Sequence, residues 1–332
     1  MGFSDFIFKN KSTEMYRPAG PAACGLYGLA VGDALGVPVE GLERRALERY
    51  PVKEMLGQGT HRQPAGTWSD DTAMTLCVLD SLACKKGTVN CNDIMTNFLH
   101  WASRGTYAID GKVFDVGENC CAAISRYASG CDALSSGFGD ELHNSNGSLM
   151  RALPISFLPL SEREMVNTAA LVSSLTHGHE VATAACAAYT MIAKSLYDGC
   201  KNADFAVHYG FNAARFVLNG LPRELLRAEN AKNLDAKDVR MGNYVVDTLE
   251  TAIMCLLNTS SYEEAVLVAI NFGGDADTVA AITGGLAGLL YREIPMRFVD
   301  SLRGKELLDA TLLRFQGAVP PSKSVARDVL EA

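Results

Sequence analysis

Two short acidic clusters have the residue types and the spacing of a metal site, although they lie far apart in the chain. The first is residues 69–72, Ser-Asp-Asp-Thr, and the second is residues 273–278, Gly-Gly-Asp-Ala-Asp-Thr. Each comes directly before a strongly apolar run that is typical of a buried helix. On a regular helix Asp275 and Asp277 would point to different faces, but a helix start loosened by the two preceding glycines can aim both at one point.

The chemistry that suits such a group of oxygens is the binding of hard divalent cations. Carboxylates and hydroxyls are preferred ligands of Mg²⁺ and Mn²⁺, and this set would suit two ions about 3.5–4 Å apart. Burying four acids beside apolar helices would be very costly without cations. Ordinary helix capping is the alternative, since Ser and Asp are favoured at helix starts. The spacing alone indicates a hard-metal site, with the candidate ligands Ser69, Asp70, Asp71, Asp275, Asp277 and Thr278.

Helices must position these residues, because long stretches carry helical periodicity or are apolar all round, and few runs alternate with period two. The predicted helices cover residues 22–35, 72–84, 165–175, 181–197, 245–257, 262–271 and 278–290. The last is hydrophobic on every face, which places it at the centre of a domain, and its glycines allow close approach of neighbouring helices. Because β-branched, turn-bounded strands are absent from the pattern, we predict an all-α fold.

The predicted organisation is an N-terminal arm, residues 1–18, followed by a single compact helical domain, residues 19–332. Turn-rich breaks interrupt the predicted helices, and none has the Pro- or Ser-rich composition of an interdomain linker. These breaks fall near residues 57–66, 105–117, 135–146 and 221–237.

The composition excludes several classes of function. A net charge of −8 argues against non-specific nucleic-acid binding, but one Arg and a few backbone N–H groups can still hold a small anion. The ten cysteines form no Cys-x-x-Cys pair, which favours a reduced compartment. Residues 1–16 show no signal-peptide core, and the longest apolar stretch, residues 278–291, is too short for the roughly 20 residues that span a bilayer. We therefore expect a cytoplasmic protein with no membrane segment.

Further motifs accompany the two clusters in a fixed order. They are GLAVGDALGVPVE at 28–40, GTWSDDTAM at 66–74, VFDVG at 113–117, NGSLMR at 146–151, THGH at 176–179 and GDADT at 274–278. Over about residues 22–295 they resemble the ADP-ribosylglycohydrolase family, whose best-known bacterial member reactivates dinitrogenase reductase. The resemblance implies an all-α hydrolase that releases ADP-ribose from a modified acceptor. It also implies that the six candidate ligands hold a binuclear Mg²⁺ or Mn²⁺ centre; many members have Thr in place of Ser69, and either supplies a hydroxyl.

The resemblance implies two catalytic acids. Asp115 matches the acid that bacterial relatives place beside the scissile ribose, where cleavage passes through an oxocarbenium-like state. Glu40 matches an acidic position that gates the site or touches the metal in some relatives. Asp115 is the first candidate for the general acid/base and Glu40 the second, and the alternative for each is an ordinary loop carboxylate. Asp33 is predicted to orient a ligand or a histidine. Tyr107 and Phe114 flank the Asp115 loop and either stack on adenine or anchor the loop.

A further set is implied to bind the substrate: Asn146, Gly147, Ser148, Met150, Arg151, His177 and Tyr107. Residues 146–151 resemble the loop that holds the diphosphate and the distal ribose, where glycine lets the backbone approach closely. Arg151 either contacts phosphate or pairs with a nearby acid. His177 either lines the pocket or caps the next helix. A zinc site formed with His179 is a poor alternative, because two histidines without a cysteine motif are too few ligands.

The predicted acceptor is arginine on a protein, because the Phe-Asp-Val-Gly and Asn-Gly-Ser-Leu-Met-Arg motifs look closest to the bacterial arginine-specific branch. Serine-linked, nucleic-acid-linked and small-metabolite ADP-ribose are the alternatives. A catalytically silent structural member is a further alternative, which the complete set of acids disfavours. An immunity role is also open, in which the arm binds an ADP-ribosyltransferase toxin. The arm's Phe3, Phe6, Ile7 and Phe8 are more apolar than a solvated tail needs, although docking on the domain itself would also explain them.

Overall fold

The structure, a computed structural model, describes residues 14–320. Within that range the chain forms fifteen α-helices and one two-stranded antiparallel sheet. In chain order the elements are β1 (Met15–Tyr16), α1 (Pro21–Gly36), α2 (Arg44–Arg49), α3 (Asp70–Cys84), α4 (Cys91–Arg104), α5 (Glu118–Ala128), α6 (Ala133–Ser136), α7 (Glu162–Ser174), α8 (Glu180–Tyr197), α9 (Ala203–Val217), α10 (Leu226–Glu229), α11 (Val245–Leu257), α12 (Tyr262–Asn271), α13 (Ala276–Tyr291), β2 (Ile294–Pro295), α14 (Met296–Ser301) and α15 (Lys305–Ala318). The prediction of an all-α fold is confirmed, and all seven predicted helices are present.

Helices α1 and α13 form the centre of the fold and pack against each other at unusually short range. A Cβ on Gly28 would lie 2.3 Å from the carbonyl oxygen of Gly284, and one on Gly32 would lie 2.1 Å from that of Ala280. Only glycine allows backbones to approach this closely. Because the helices are antiparallel, the last turn of α1 lies beside the first turn of α13. A Cβ on Gly36 would lie 2.3 Å from the Cα of Asp277.

The other helices surround this pair and complete one hydrophobic core. Helix α3 packs against α1, α4 and α15, while α11 and α12 pack on α13. Helix α8 lies between α7 and α9 and also contacts α13. This arrangement brings the starts of α3 and α13 to the same end of the bundle, beside the end of α1.

The small sheet joins the end of the predicted arm to the domain. Met15 pairs with Pro295 and Tyr16 pairs with Ile294. The residues for which partner binding was predicted, Phe3, Phe6, Ile7 and Phe8, lie outside the described range, so that role of the arm stays a prediction.

None of the helices in residues 14–320 combines the length and the apolar character that a membrane crossing requires.

Candidate active site

A buried carboxylate on α1 fixes the start of α3. Asp33 accepts hydrogen bonds from the backbone N–H of Ser69 at 2.9 Å and of Thr72 at 3.0 Å, and the Thr72 hydroxyl donates to it at 2.6 Å. Ser69 is the N-cap of α3, and its side chain accepts from the N–H of Asp71. Asp33 therefore orients the first acidic cluster through its backbone.

Two glycines shape the start of α13. Gly273 and Gly274 have φ angles of 75° and 61°, in the left-handed region that favours glycine. A Cβ on Gly274 would lie 2.1 Å from the carbonyl oxygen of Met241, so no larger residue fits there. This turn makes Asp275 the N-cap and places Asp277 in the first turn of the helix. The two carboxylates thereby reach one site although they are two positions apart.

The two acidic clusters meet at these helix starts. The Ser69 hydroxyl donates to Asp71 Oδ2 at 3.0 Å, and the Thr278 hydroxyl donates to the same oxygen at 3.4 Å. Carboxylate oxygens of Asp33, Asp71 and Asp277 lie within 4.8 Å of one another. The structure thus brings the predicted ligand residues from both clusters together.

This site contains more negative charge than the described residues neutralise. Asp71 and Asp277 are fully buried, and neither Asp71 Oδ1 nor Asp277 Oδ2 has a hydrogen-bond partner within residues 14–320. Burial first, and then repulsion by Asp33 and Asp70, raises the pKa of Asp71 well above its usual value. Burial and neighbouring carboxylates also raise the pKa values of Asp70 and Asp277. Unpartnered carboxylate oxygens among like charges are very costly in a protein interior unless a cation neutralises them.

The donor atoms fit hard divalent cations. Every side chain of the cluster offers oxygen, either as carboxylate or as hydroxyl, and none offers nitrogen or sulfur. The residues that could hold such ions are Ser69, Asp70, Asp71, Asp275, Asp277 and Thr278. Helices α1 and α13, which are apolar and almost entirely buried, pack beside the cluster.

A cavity of about 550 Å³ lies against the acidic cluster. Eight of the predicted site residues line it: Glu40, Asp70, Asp115, Asn146, Gly147, Met150, Asp275 and Thr278. Asn146 connects the predicted substrate loop to the cluster, because its amide donates to Asp275 Oδ2 at 2.6 Å and to Thr248 Oγ1 at 2.9 Å. The cavity therefore unites candidate ligands, candidate catalytic acids and part of the candidate substrate loop.

The two candidate catalytic acids lie side by side. A carboxylate oxygen of Glu40 and one of Asp115 lie within 4.8 Å of each other. Burial, and next repulsion by Asp115, raises the pKa of Glu40. Glu40 also borders the acidic cluster, since oxygens of Glu40, Asp275 and Asp277 form another group within 4.8 Å. Two neighbouring carboxylates, one of them with a raised pKa, are suited to hold and transfer a proton.

Arg151 lies behind the cavity wall. It is fully buried, donates to the Gly147 carbonyl and to Thr176 Oγ1 at 2.7 Å, and lies 4.8 Å from the centroid of the Phe98 ring. It does not line the cavity, and it forms no ion pair with an acid of the described chain. Its position instead supports the turn at Asn146–Ser148 from behind.

His177 also lies behind the wall. It is fully buried, with Nε2 at 2.7 Å from Ser145 Oγ and Nδ1 at 2.6 Å from Thr176 Oγ1. Burial lowers its pKa to about 3, so the ring is neutral at physiological pH. His177 therefore fixes Ser145, which does line the cavity. The capping role considered for it belongs to His179, whose Nδ1 accepts from the backbone N–H of Val181 in the first turn of α8 at 3.3 Å.

Ser148 and Tyr107 do not line the cavity either. The Ser148 hydroxyl accepts a hydrogen bond from Ser173 Oγ at 2.9 Å. The Tyr107 hydroxyl hydrogen-bonds to Asp80 and so faces away from the cavity. Burial, and next this hydrogen bond, raises the pKa of the hydroxyl. Of the two roles considered for Tyr107, this placement favours loop anchoring, because its carbonyl also accepts from Trp68 Nε1 at 3.0 Å.

Sequence reasoning missed His61. Its Nε2 forms a close hydrogen bond with Glu40 Oε2 and lies 3.9 Å from Asp115 Oδ2. It sits in the glycine-rich break at residues 57–66, where a single histidine carries no spacing signal. The wall residues Asn119, Asn144, Ser145 and Tyr244 were missed for the same reason, because they come from three separate segments of the chain.

Comparisons with known proteins identify the family of the chain. The ADP-ribosylglycohydrolase family model matches residues 21–323. The ADP-ribosylarginine hydrolase Tri1 of Serratia proteamaculans (strain 568) is 31% identical over 287 residues, covering 85% of this chain and 75% of the relative. The ADP-ribosyl-(dinitrogen reductase) glycohydrolase of Rhodospirillum rubrum is 30% identical over 281 residues, covering 83% and 87%. A solved structure described as an ADP-ribosylglycohydrolase-related protein complex is 30% identical, with a TM-score of 0.76 over 90% of this chain and 97% of that chain. The chain belongs to the ADP-ribosylglycohydrolase family.

Proposed function

We propose that this chain removes ADP-ribose from arginine side chains of modified proteins by hydrolysing the N-glycosidic bond. The observation that supports this most strongly is the convergence of two acidic clusters beside a cavity that Asp115 and Glu40 also line. Arginine is the favoured acceptor because the relatives from Serratia proteamaculans and Pseudomonas putida are ADP-ribosylarginine hydrolases by name.

Two Mg²⁺ ions, or two Mn²⁺ ions, are the proposed cofactors. When bound, such ions supply Lewis acidity and a template for oxygen groups of the substrate. The unpartnered oxygens of Asp71 and Asp277 support this assignment, because both are buried among like charges. The residues proposed to hold the ions are Ser69, Asp70, Asp71, Asp275, Asp277 and Thr278.

Asp115 and Glu40 are the groups proposed to accept and transfer the proton of the reaction. Water attacks the anomeric carbon of the ribose as the guanidine of the acceptor arginine leaves. A carboxylate oxygen of Asp115 is proposed to accept the proton of that water. The adjacent Glu40, whose pKa is raised, can share this proton, which then passes to the departing guanidine nitrogen.

The turn at Asn146–Ser148 is proposed to hold the diphosphate side of ADP-ribose. Gly147 lines the cavity, and a Cβ there would lie 2.8 Å from Cys120 Sγ and 3.1 Å from His177 Cε1. The turn is thus packed tightly against Cys120, which also lines the cavity, and against His177, which does not. This packing keeps the Gly147 backbone at the cavity surface, where substrate can approach it.

The test is release of free ADP-ribose from an arginine-ADP-ribosylated protein, with Mg²⁺ and with EDTA. We expect release with Mg²⁺, its loss with EDTA, and its recovery when Mg²⁺ is restored. Serine-linked and nucleic-acid-linked substrates are tested in parallel, and preference for either would replace arginine as the proposed acceptor. Failure on all three would reject the proposed activity.

A further inference from the structure

We propose that His61 is a positioning residue, which holds the carboxylates of Asp115 and Glu40 in their working arrangement. This inference rests on the proposed function, because the arrangement matters for catalysis only if these two acids manage the proton.

The imidazole of His61 touches both candidate acids. Its Nε2 forms a close hydrogen bond with Glu40 Oε2 and lies 3.9 Å from Asp115 Oδ2, and these three atoms belong to one group within 4.8 Å. The ring centroid also lies 5.2 Å from that of Phe114, the residue before Asp115. With 18% of its side chain exposed, His61 is largely buried beside the two acids.

The segment that carries His61 is firmly attached to the Glu40 turn. Gly59 approaches Pro38 so closely that a Cβ on it would lie 1.9 Å from the Pro38 carbonyl oxygen. The Thr60 hydroxyl donates to the Glu40 carbonyl at 2.5 Å. These contacts use the backbone and Thr60, so they persist if only the His61 ring is removed.

The segment that carries Asp115 is held less firmly near the Asp115 carboxylate than the His61 segment is held at the Glu40 turn. Val113 and Val116 pack against the core on either side. Asp115 itself has a φ of 52°, an uncommon backbone conformation for a non-glycine residue, and such conformations persist only when the surroundings enforce them. Within residues 14–320, the basic side chain that lies within 4 Å of the Asp115 carboxylate is His61, whose Nε2 is 3.9 Å from Oδ2.

The physical role of the ring follows from the two charges beside it. Two carboxylates this close repel each other whenever both are ionised. An imidazole that hydrogen-bonds to one of them and lies beside the other restrains both side chains. Because a displacement of about 1 Å can cost a hundredfold in rate, loss of the ring should slow the reaction without removing any substrate contact.

The test compares His61→Ala, His61→Gln and the control His143→Ala by steady-state kinetics with an arginine-ADP-ribosylated substrate. His143 also pairs with a carboxylate, Asp140 at 2.6 Å, but is not part of the cavity wall. For His61→Ala we expect kcat to fall about tenfold to a hundredfold with KM nearly unchanged. His61→Gln should recover a substantial part of kcat, since its amide can donate to Glu40, and His143→Ala should match the wild type.

Two further readouts separate a failure of this inference from a failure of the proposed function. A wild-type kcat in a folded His61→Ala variant, or a raised KM alone, would overturn the positioning role while leaving the hydrolase assignment intact. If the wild type releases no ADP-ribose, the proposed function fails. Crystal structures of the wild type and of His61→Ala then still show whether His61 positions the Asp115 carboxylate. Displacement of the Asp115 carboxylate by about 1 Å or more in His61→Ala supports the inference, and an unmoved carboxylate overturns it.

Discussion

The buried acidic cluster and the loop-borne pair of acids beside it, Asp115 and Glu40, are held in place in different ways. The acids of the cluster sit at the starts of α3 and α13 and are fixed by Asp33 and by the glycine contacts between α1 and α13. Asp115 and Glu40 lie on connecting segments, are partly exposed, and lie beside the side chain of His61. The contrast suggests that rigid helix ends supply ion binding, whereas adjustable loops supply proton transfer.

The largest expected effect comes from removing charge from the cluster. Asp277→Asn and Asp71→Asn should each abolish ADP-ribose release, because Mg²⁺ would lose a carboxylate ligand. In EDTA at neutral pH, however, both variants should be more stable than the wild type, since Asn neither carries a buried charge nor has to hold a proton at that site. Thermal unfolding with and without Mg²⁺ measures both effects. A variant that keeps wild-type turnover would remove its residue from the ligand set.

A smaller loss of activity is expected at the loop-borne pair. Asp115→Asn should lower kcat by about 10²–10⁴, the range for loss of a general acid/base, while Mg²⁺ still raises the Tm as in the wild type. Kinetics combined with Mg²⁺-dependent melting separates these properties. If Asp115→Asn lost the Mg²⁺-dependent rise in Tm together with its activity, the assignment of ion binding to the cluster and of proton transfer to the loops would be contradicted.

The contact between α1 and α13, which aligns the acidic cluster, can be disrupted by a substitution at Gly32. Gly32→Ala should cost about 1–3 kcal/mol or more, because its Cβ would lie 2.1 Å from a backbone oxygen that cannot rotate away. Gly317→Ala is the matched control, since Gly317 lies within α15 with nothing within 4 Å of an added Cβ. That control should gain about 0.5–1 kcal/mol. Urea unfolding measures both, and equal stability of the two variants would argue against the close α1–α13 contact.

The smallest effect is a pH dependence of stability. The pKa values of Asp70, Asp71 and Asp277 are raised mainly by burial, so the folded protein retains protons that the unfolded chain releases above about pH 4. In EDTA the free energy of unfolding should therefore fall as pH rises from 5 to 8. Mg²⁺ replaces these protons, so the gain in Tm on adding Mg²⁺ should grow over the same range. A gain that is independent of pH would indicate that the buried acids are already ionised without metal.

The parts of the fold that sequence predicts well are those whose pattern is local. The apolar helices were predicted because their burial leaves a continuous signature, and α11 and α12 have the predicted bounds. Helices α4, α5 and α9 were not predicted, since their amphipathic sequences mix apolar positions with polar faces. The convergence of the acids was anticipated because capping residues and glycines mark helix starts in the sequence itself.

The parts that sequence could not predict depend on contacts between distant segments. His61 gains its significance only because residues 57–66 fold onto the Glu40 turn and meet the Asp115 loop. Arg151 and His177 belong to recognisable motifs, yet whether they face the cavity or its rear is decided by packing against Phe98 and Thr176. A motif indicates which residues gather at a site but not which side of the wall each one occupies.

The most direct test of the central claim is calorimetric titration of Mg²⁺ into the wild type, Asp115→Asn and Asp277→Asn. We expect two bound ions in the wild type and in Asp115→Asn, and fewer in Asp277→Asn. Absence of Mg²⁺ binding by the wild type, or equal loss of binding in both variants, would contradict the assignment of ion binding to the helix ends and proton transfer to the loops.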